Sequence, residues 1–329
     1  MPFDYRRAYP ADEVEARLPG PALPPALVSQ PGLAGHARRA AAACRAAGVE
    51  REAVVAAVQL GVLRMALRYG EDSADPLAYH NEGHLLELLE DKLPLLLSTA
   101  LLPTLEREAL VLFCACHDLR QREARRHAEE PIGPNEAASM AEADRLLDAA
   151  GLEDPALRIL LRFAIAGSTF AAGTDEGQAQ GAFAHVLGHW LDGQRPGWRD
   201  DALATQAEHL ARMAADLDTS NVASPYPDFA RSAIALAIEI QHRAGRPLDS
   251  PEAGASCLGF LAEGQERYVF TLQRFASREG RAAFGTQRDA NAARVRETSR
   301  RLREHFAPQA PRDAHAVILA FRSLAAGEQ

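Results

Sequence analysis

Apolar residues recur at helical spacing along most of the chain, and β-branched runs are scarce. Residues 34–48 and 51–69 alternate apolar and charged positions in this way, with Gly48 and Gly70 placed as C-terminal stops. A further helix is predicted from 76 to about 92, with Leu85, Leu88 and Leu89 on the same broad face as His84. The next, over 104–118, has Thr104 at its start, Glu106 and Glu108 near its positive end, and an apolar run over 109–116. A helix apolar all round is a buried one, so this segment is expected to be central and to deliver His117 and Asp118 at its end.

The same periodicity predicts helices at 135–150 (ended by Gly151), at 155–166, and at about 183–192, 200–218, 228–244, 253–277, 286–306 and 312–325. Residues 1–33 are rich in Pro and Gly and read as an irregular arm, lying on the surface or tucked against the body. Loops are expected at 120–134, which is charged, and at 171–182, which is Gly-rich. With no internal repeat and no clear linker, the expectation is one all-α domain over 34–329. Its metal-site core would span about 76–222 and its C-terminal helices 228–325.

Composition sharpens this picture. The 329 residues are 47% hydrophobic but only 6% aromatic, so the core is built mainly from Ala, Leu and Val. A net charge of −9 argues against duplex nucleic acid as a main partner, yet a bound cation can still reverse the local field for a small anion. Cys44, Cys114, Cys116 and Cys257 form no CxxC pair. Neither a signal-peptide core nor an 18-residue apolar stretch is present, so the expectation is a reduced cytoplasmic protein with no membrane partner.

The candidate chemistry sits in short segments. His80 and His84 are four residues apart and, on a helix, would share a face. His117-Asp118 follows the apolar helix, and an ionised Asp near a core is costly unless paired or bound to metal. Asp216 lies late in a helix whose apolar side includes Leu210, Met213 and Leu217, among small residues that allow close approach. Asp218 is its local rival, and reads better as a solvated acid near the helix end. Cys114 and Cys116, two apart on a helix, point in opposing directions and are expected to pack in the core rather than bind zinc.

Taken together, Tyr79-His80-Asn81-x-x-His84, His117-Asp118 and Ala215-Asp216-Leu217 resemble the motif order of the HD-domain metal-dependent phosphohydrolase superfamily. The first stretch resembles the signature of the class I cyclic-nucleotide phosphodiesterases. Asn135-Glu136-Ala137-Ala138-Ser139 and the aromatic, basic segment from Arg267-Tyr268 to Arg281 resemble small bacterial members of the superfamily. The resemblance spans roughly 50–300 and implies an HD-type helical bundle with N- and C-terminal helical extensions.

By position it implies His84, His117, Asp118 and Asp216 as metal ligands. His80 would be the acid that protonates the leaving oxygen, supported by Tyr79 and Asn81, and Glu136 would orient the water. Arg120 and Arg122 are candidates to meet a phosphate, with the loop acids as the alternative partners. The implied activity is a metal-dependent phosphohydrolase or phosphodiesterase, in which metal-activated water attacks a phosphoester of a nucleotide or other small phosphorylated substrate. Mn, Mg, Fe, Co, Ni and Zn all suit such ligands. One site is expected to be firm; a second metal and a homo-oligomer stay open. The phosphodiesterases carry a further His shortly after the His-Asp pair, where this chain has Leu119-Arg120-Gln121-Arg122. His127, His185, His189 and His209 match no motif, although a di-iron oxygenase of the same superfamily would need more histidine ligands. The remaining alternative is a non-catalytic metal-binding sensor or scaffold.

Overall fold

Leucine- and alanine-rich segments with helical periodicity have few alternatives to a helix, and the computed structural model is all-α. It describes residues 4–22, 27, 30–126, 131–170 and 181–327. Among these no strand forms, only an isolated antiparallel bridge between Phe170 and Ala182. None of their helices is long and apolar enough to cross a membrane.

By internal contacts the described residues fall into two compact units, where the sequence marked no linker. One contains the residues up to 170, then 181–218 and 275–283; the other contains 219–274 and 284–327. All the residues that resemble the His and Asp motifs belong to the first.

The centre of the first unit is the Thr104–Cys116 helix, buried at every position from Glu108 to Cys116. It packs against Glu52–Tyr69 and Pro155–Ser168. Gly61 sets the first contact: a Cβ there would lie 2.6 Å from the Ala115 carbonyl oxygen and 3.2 Å from its Cβ. Ala is a better helix former than Gly by about 1 kcal/mol. The obstacle here is backbone, however, so Gly61→Ala should destabilise the unit by about 1–3 kcal/mol in chemical denaturation. The pairing of Pro155–Ser168 with Ala202–Asp218 is equally close at Gly167, whose added Cβ would meet that of Ala211 at 2.9 Å. These contacts carry two helix C-termini, at Cys116 and Asp218, toward the same region.

The two helices expected at 34–48 and 51–69 are Pro31–Ala46 and Glu52–Tyr69. Gly48 ends the first with φ +70°, and the Val49 N–H returns to the Cys44 carbonyl, a turn that glycine permits without strain. The helix expected from 76 instead starts at Glu82 and runs through a π-helical turn, Leu88–Lys92, into Leu93–Leu97. Pro94, which lacks an N–H, interrupts the ladder in that stretch.

The arm is tucked rather than superficial. Asp4 caps the short helix Tyr5–Ala8, Asp12 caps Glu13–Arg17, and Tyr9, Glu15 and Leu18 are buried. Charges hold it there: Arg145 pairs with Glu15 at 2.6 Å, and Arg68 pairs with Asp12 at 2.7 Å.

In the second unit Tyr226–Arg243 and Pro251–Gly259 both pack against Ala314–Ala326. The helix expected over 253–277 continues through two π-helical turns to Leu272 and then stops. Residues 273–277 leave the helix, and Arg278–Phe306 begins anew. The segment Arg267-Tyr268 to Arg281 is therefore not one helix.

Candidate metal centre

His84 enters from the first turn of Glu82–Glu87. Asn81 sets that helix start: its backbone is extended, its Oδ1 accepts the Gly83 N–H at 2.9 Å, and its Nδ2 donates to the Leu77 carbonyl at 2.7 Å. His80 precedes the cap and lies in a turn, not on a common helical face with His84. Even so, the rings stay near one another. The Tyr79 ring lies 4.9 Å from His80 and 4.7 Å from His84, and the two imidazoles are 6.3 Å apart between centroids.

His117 caps the C-terminus of the central helix. Its ring stacks on Phe113, and Nδ1 lies 3.2 Å from the Phe113 carbonyl. A carbonyl only accepts, so Nδ1 carries a proton, and in the neutral ring Nε2 is the nitrogen able to bind a cation. That Nε2 lies 3.3 Å from Asp118 Oδ2 and 3.2 Å from Asp218 Oδ1. His84 Nε2 lies 3.6 Å from each of the same two oxygens.

These atoms form a cage of two imidazoles and two carboxylates. One donor atom each from His84, His117 and Asp118 lies within 4.8 Å of the others. His84 Nε2, His117 Nε2 and Asp118 Oδ2 are buried without a hydrogen-bond partner among the described residues. Three orphaned polar atoms converging on one point are expensive, and a divalent cation would satisfy all of them. The donor set, imidazole with carboxylate, fits such an ion.

The two carboxylates also dominate the local electrostatics. Burial pushes the His117 imidazole down, but the facing Asp118 and Asp218 carboxylates outweigh it and raise its pKa well above the usual value. Burial likewise opposes ionised Asp118, yet His117, His80 and His84 hold its carboxyl well below the usual range. The Asp218 carboxyl is lowered against burial in the same way, chiefly by His117. Glu136, in the first turn of Pro134–Ala149, feels this cage too. Burial pushes its carboxyl up to about 7, and the Asp118 and Asp218 charges add to the effect while His117 opposes it.

The aspartate facing the histidines is thus Asp218, and Asp216 is elsewhere. Asp216 accepts hydrogen bonds from the Ala276 N–H at 2.6 Å, the Ser277 N–H at 2.8 Å and the Ser277 hydroxyl. It closes the start of the Arg278–Phe306 helix, and a Cβ on Gly280 would sit 2.2 Å from its Oδ2. Helical phase separates the two acids. Positions 211, 214, 215 and 218 share a face and read Ala, Ala, Ala, Asp, so the small residues belong to Asp218.

The two candidate arginines have protein partners. Arg120 turns toward the arm: its Nε donates to Glu123 at 2.8 Å and one Nη to the Pro10 carbonyl at 3.2 Å, with Glu15 at 3.6 Å. Glu123 and the arm acids compete successfully for that guanidinium. Arg122 is exposed, at φ +62°, and pairs with Asp75 at 3.2 Å. His185 and His189 are exposed, and His209 lies 3.7 Å from Glu279. His127 lies outside the described residues. Cys114 and Cys116 are fully buried, and burial raises both thiols.

No family model and no curated protein matches this chain. Solved structures do. The phosphodiesterase domain of Salpingoeca rosetta rhodopsin phosphodiesterase superposes with a TM-score of 0.55 at 14% identity, over 93% of this chain and 98% of that one. The phosphodiesterase domain of the RhoPDE fusion protein from the choanoflagellate Salpingoeca rosetta gives 0.53 at 15%, over 92% and 100%. The fold is similar to theirs. At such identity the likeness concerns the path of the helices, and it extends over nearly the full length of those domains.

Proposed function

We propose that this chain is a metal-dependent phosphoester hydrolase acting on a nucleotide or another small phosphorylated substrate. The observation that carries the reading is the cage of His84, His117, Asp118 and Asp218, in which three buried donor atoms have no hydrogen-bond partner among the described residues, in a fold like that of phosphodiesterase domains. These four side chains would hold the ion. When bound, it would polarise a phosphoryl oxygen and bring the pKa of a water toward neutrality.

The remaining residues supply binding and proton transfer. Water that has given up one proton to solvent adds to phosphorus as the bond to the leaving oxygen breaks. His80, whose ring centroid lies 6.3 Å from that of His84, gives the departing oxygen its proton. The Tyr79 ring, against both His80 and His84, limits the orientations those imidazoles adopt. Glu136 orients the attacking water from the side of Pro134–Ala149. Asn81 acts through the helix start that places His84, rather than on substrate. Arg120 is assigned to the arm and Arg122 to Asp75, so phosphate charge is met at the cage.

Elemental analysis of the purified protein, followed by a phosphoester panel with the metal found, tests the reading. His117→Ala and Asp118→Ala are each expected to lose both the metal and the turnover. Full activity in both variants would overturn the assignment.

A further inference from the structure

Asp118 presents only one oxygen to the cage. Its Oδ1 is turned away and accepts from Gln121 Nε2 at 3.0 Å. Gln121, itself buried, has its Oε1 taken by Asn135 Nδ2 at 3.2 Å. Asn135 Oδ1 in turn accepts the Glu123 N–H at 3.0 Å. The direction of this chain is decided at both ends, because a backbone N–H only donates and a carboxylate only accepts. Each amide between them therefore has one admissible orientation.

We propose that Gln121, locked by Asn135, is the positioning residue that aims Asp118 Oδ2 at the metal. This rests on the metal-site reading above and adds a function for two residues outside the cage. It also accounts for the Asn-Glu-x-x-Ser segment. Asn135 and Ser139 both hold the 118–123 loop, Ser139 by accepting the Arg120 N–H at 3.1 Å. Partners that orient a metal ligand matter to affinity: removing one typically weakens binding about 10–100-fold.

The two straps can be told apart. Gln121→Ala removes the donor to Asp118. Asn135→Asp keeps the acceptor for the Glu123 N–H but loses the donor to Gln121, whose amide then meets a carboxylate at both ends and no longer has one admissible orientation. Ser139→Ala loosens the same loop without touching the chain of amides. Co2+ titration of the metal-free proteins, followed by visible absorption, reads the difference.

Gln121→Ala and Asn135→Asp are expected to bind Co2+ about 10–100-fold more weakly and with an altered ligand-field spectrum. The double variant should be no weaker than Gln121→Ala alone, since both act through one contact. Ser139→Ala should match the parent protein. Parent-like affinity in Asn135→Asp, which remains informative if Gln121→Ala fails to fold, would overturn the proposal. So would an equal loss in Ser139→Ala, which would indicate loop integrity alone. A parent protein that binds no Co2+ would instead overturn the metal reading on which the proposal stands.

Discussion

Under the proposed metal-site reading, Asp218→Asn is expected to abolish metal binding, whereas Asp216→Asn is expected to leave it unchanged. The two residues lie two positions apart; Asp216 is buried and Asp218 is partly exposed. Their surroundings differ completely. Asp218 Oδ1 lies 3.2 Å from His117 Nε2 and 3.6 Å from His84 Nε2, opposite Asp118. Asparagine keeps the shape and removes the charge, leaving two neutral imidazoles and one carboxylate for a dication. Loss of a residue that merely orients a ligand costs about 10–100-fold in affinity, so loss of a charged ligand should cost more than that.

Asp216 has no such partners. Its oxygens are occupied by the Ala276 and Ser277 N–H groups and the Ser277 hydroxyl, and burial pushes its carboxyl up to about 6 against those bonds. Asp216→Ala would leave buried donors without an acceptor and should lower stability by about 2–4 kcal/mol, read by urea denaturation. Metal analysis of the same preparations separates the two effects. Loss of metal on changing Asp216, with Asp218→Asn still loaded, would reverse the assignment.

Arg68→Met is expected to destabilise the first unit by about 3–5 kcal/mol and to free the N-terminal arm. Arg68 is buried, and its guanidinium donates to both Asp12 oxygens at 2.7 and 2.9 Å, to the Leu119 carbonyl at 2.6 Å, and to Glu142 at 3.0 and 3.1 Å. Methionine approximates the stem and supplies none of these donors. Burial already drives the Glu142 carboxyl upward, and Arg68 is the foremost charge opposing that. Arg64, 3.5 Å from Glu142, compensates only in part.

The same residue ties the arm, through Asp12, to the turn after His117-Asp118, through Leu119. Arg68→Met should therefore speed cleavage of the arm in limited proteolysis as well as shift the unfolding midpoint. Lysine is not a conservative test, because a single ammonium cannot satisfy three groups in the fork geometry of a guanidinium. A change below about 1 kcal/mol would show that the cluster contributes no more than exposed pairs do.

Helical content, the burial of the Thr104–Cys116 segment and its delivery of His117-Asp118 were legible from residue order alone. Each follows from local rules: the spacing of apolar positions, the scarcity of β-branched runs, and the cost of ending an apolar helix on a charged pair. The Gly48 stop was legible for the same reason. Which of two aspartates faces the histidines was not. Asp216 and Asp218 differ by about 200° around a helix, and the choice depends on what packs on each side. The 273–277 break, distant in sequence, brings N–H groups to Asp216, while His84 and His117 come to Asp218. Likewise the sequence left Arg120 between a phosphate and the loop acids; Glu123 and, from the arm, Glu15 and the Pro10 carbonyl lie beside it. Composition and periodicity report what each segment prefers along its own axis; partners more than a hundred residues away are chosen by packing, and that choice made an arginine structural and an aspartate a metal-ligand candidate.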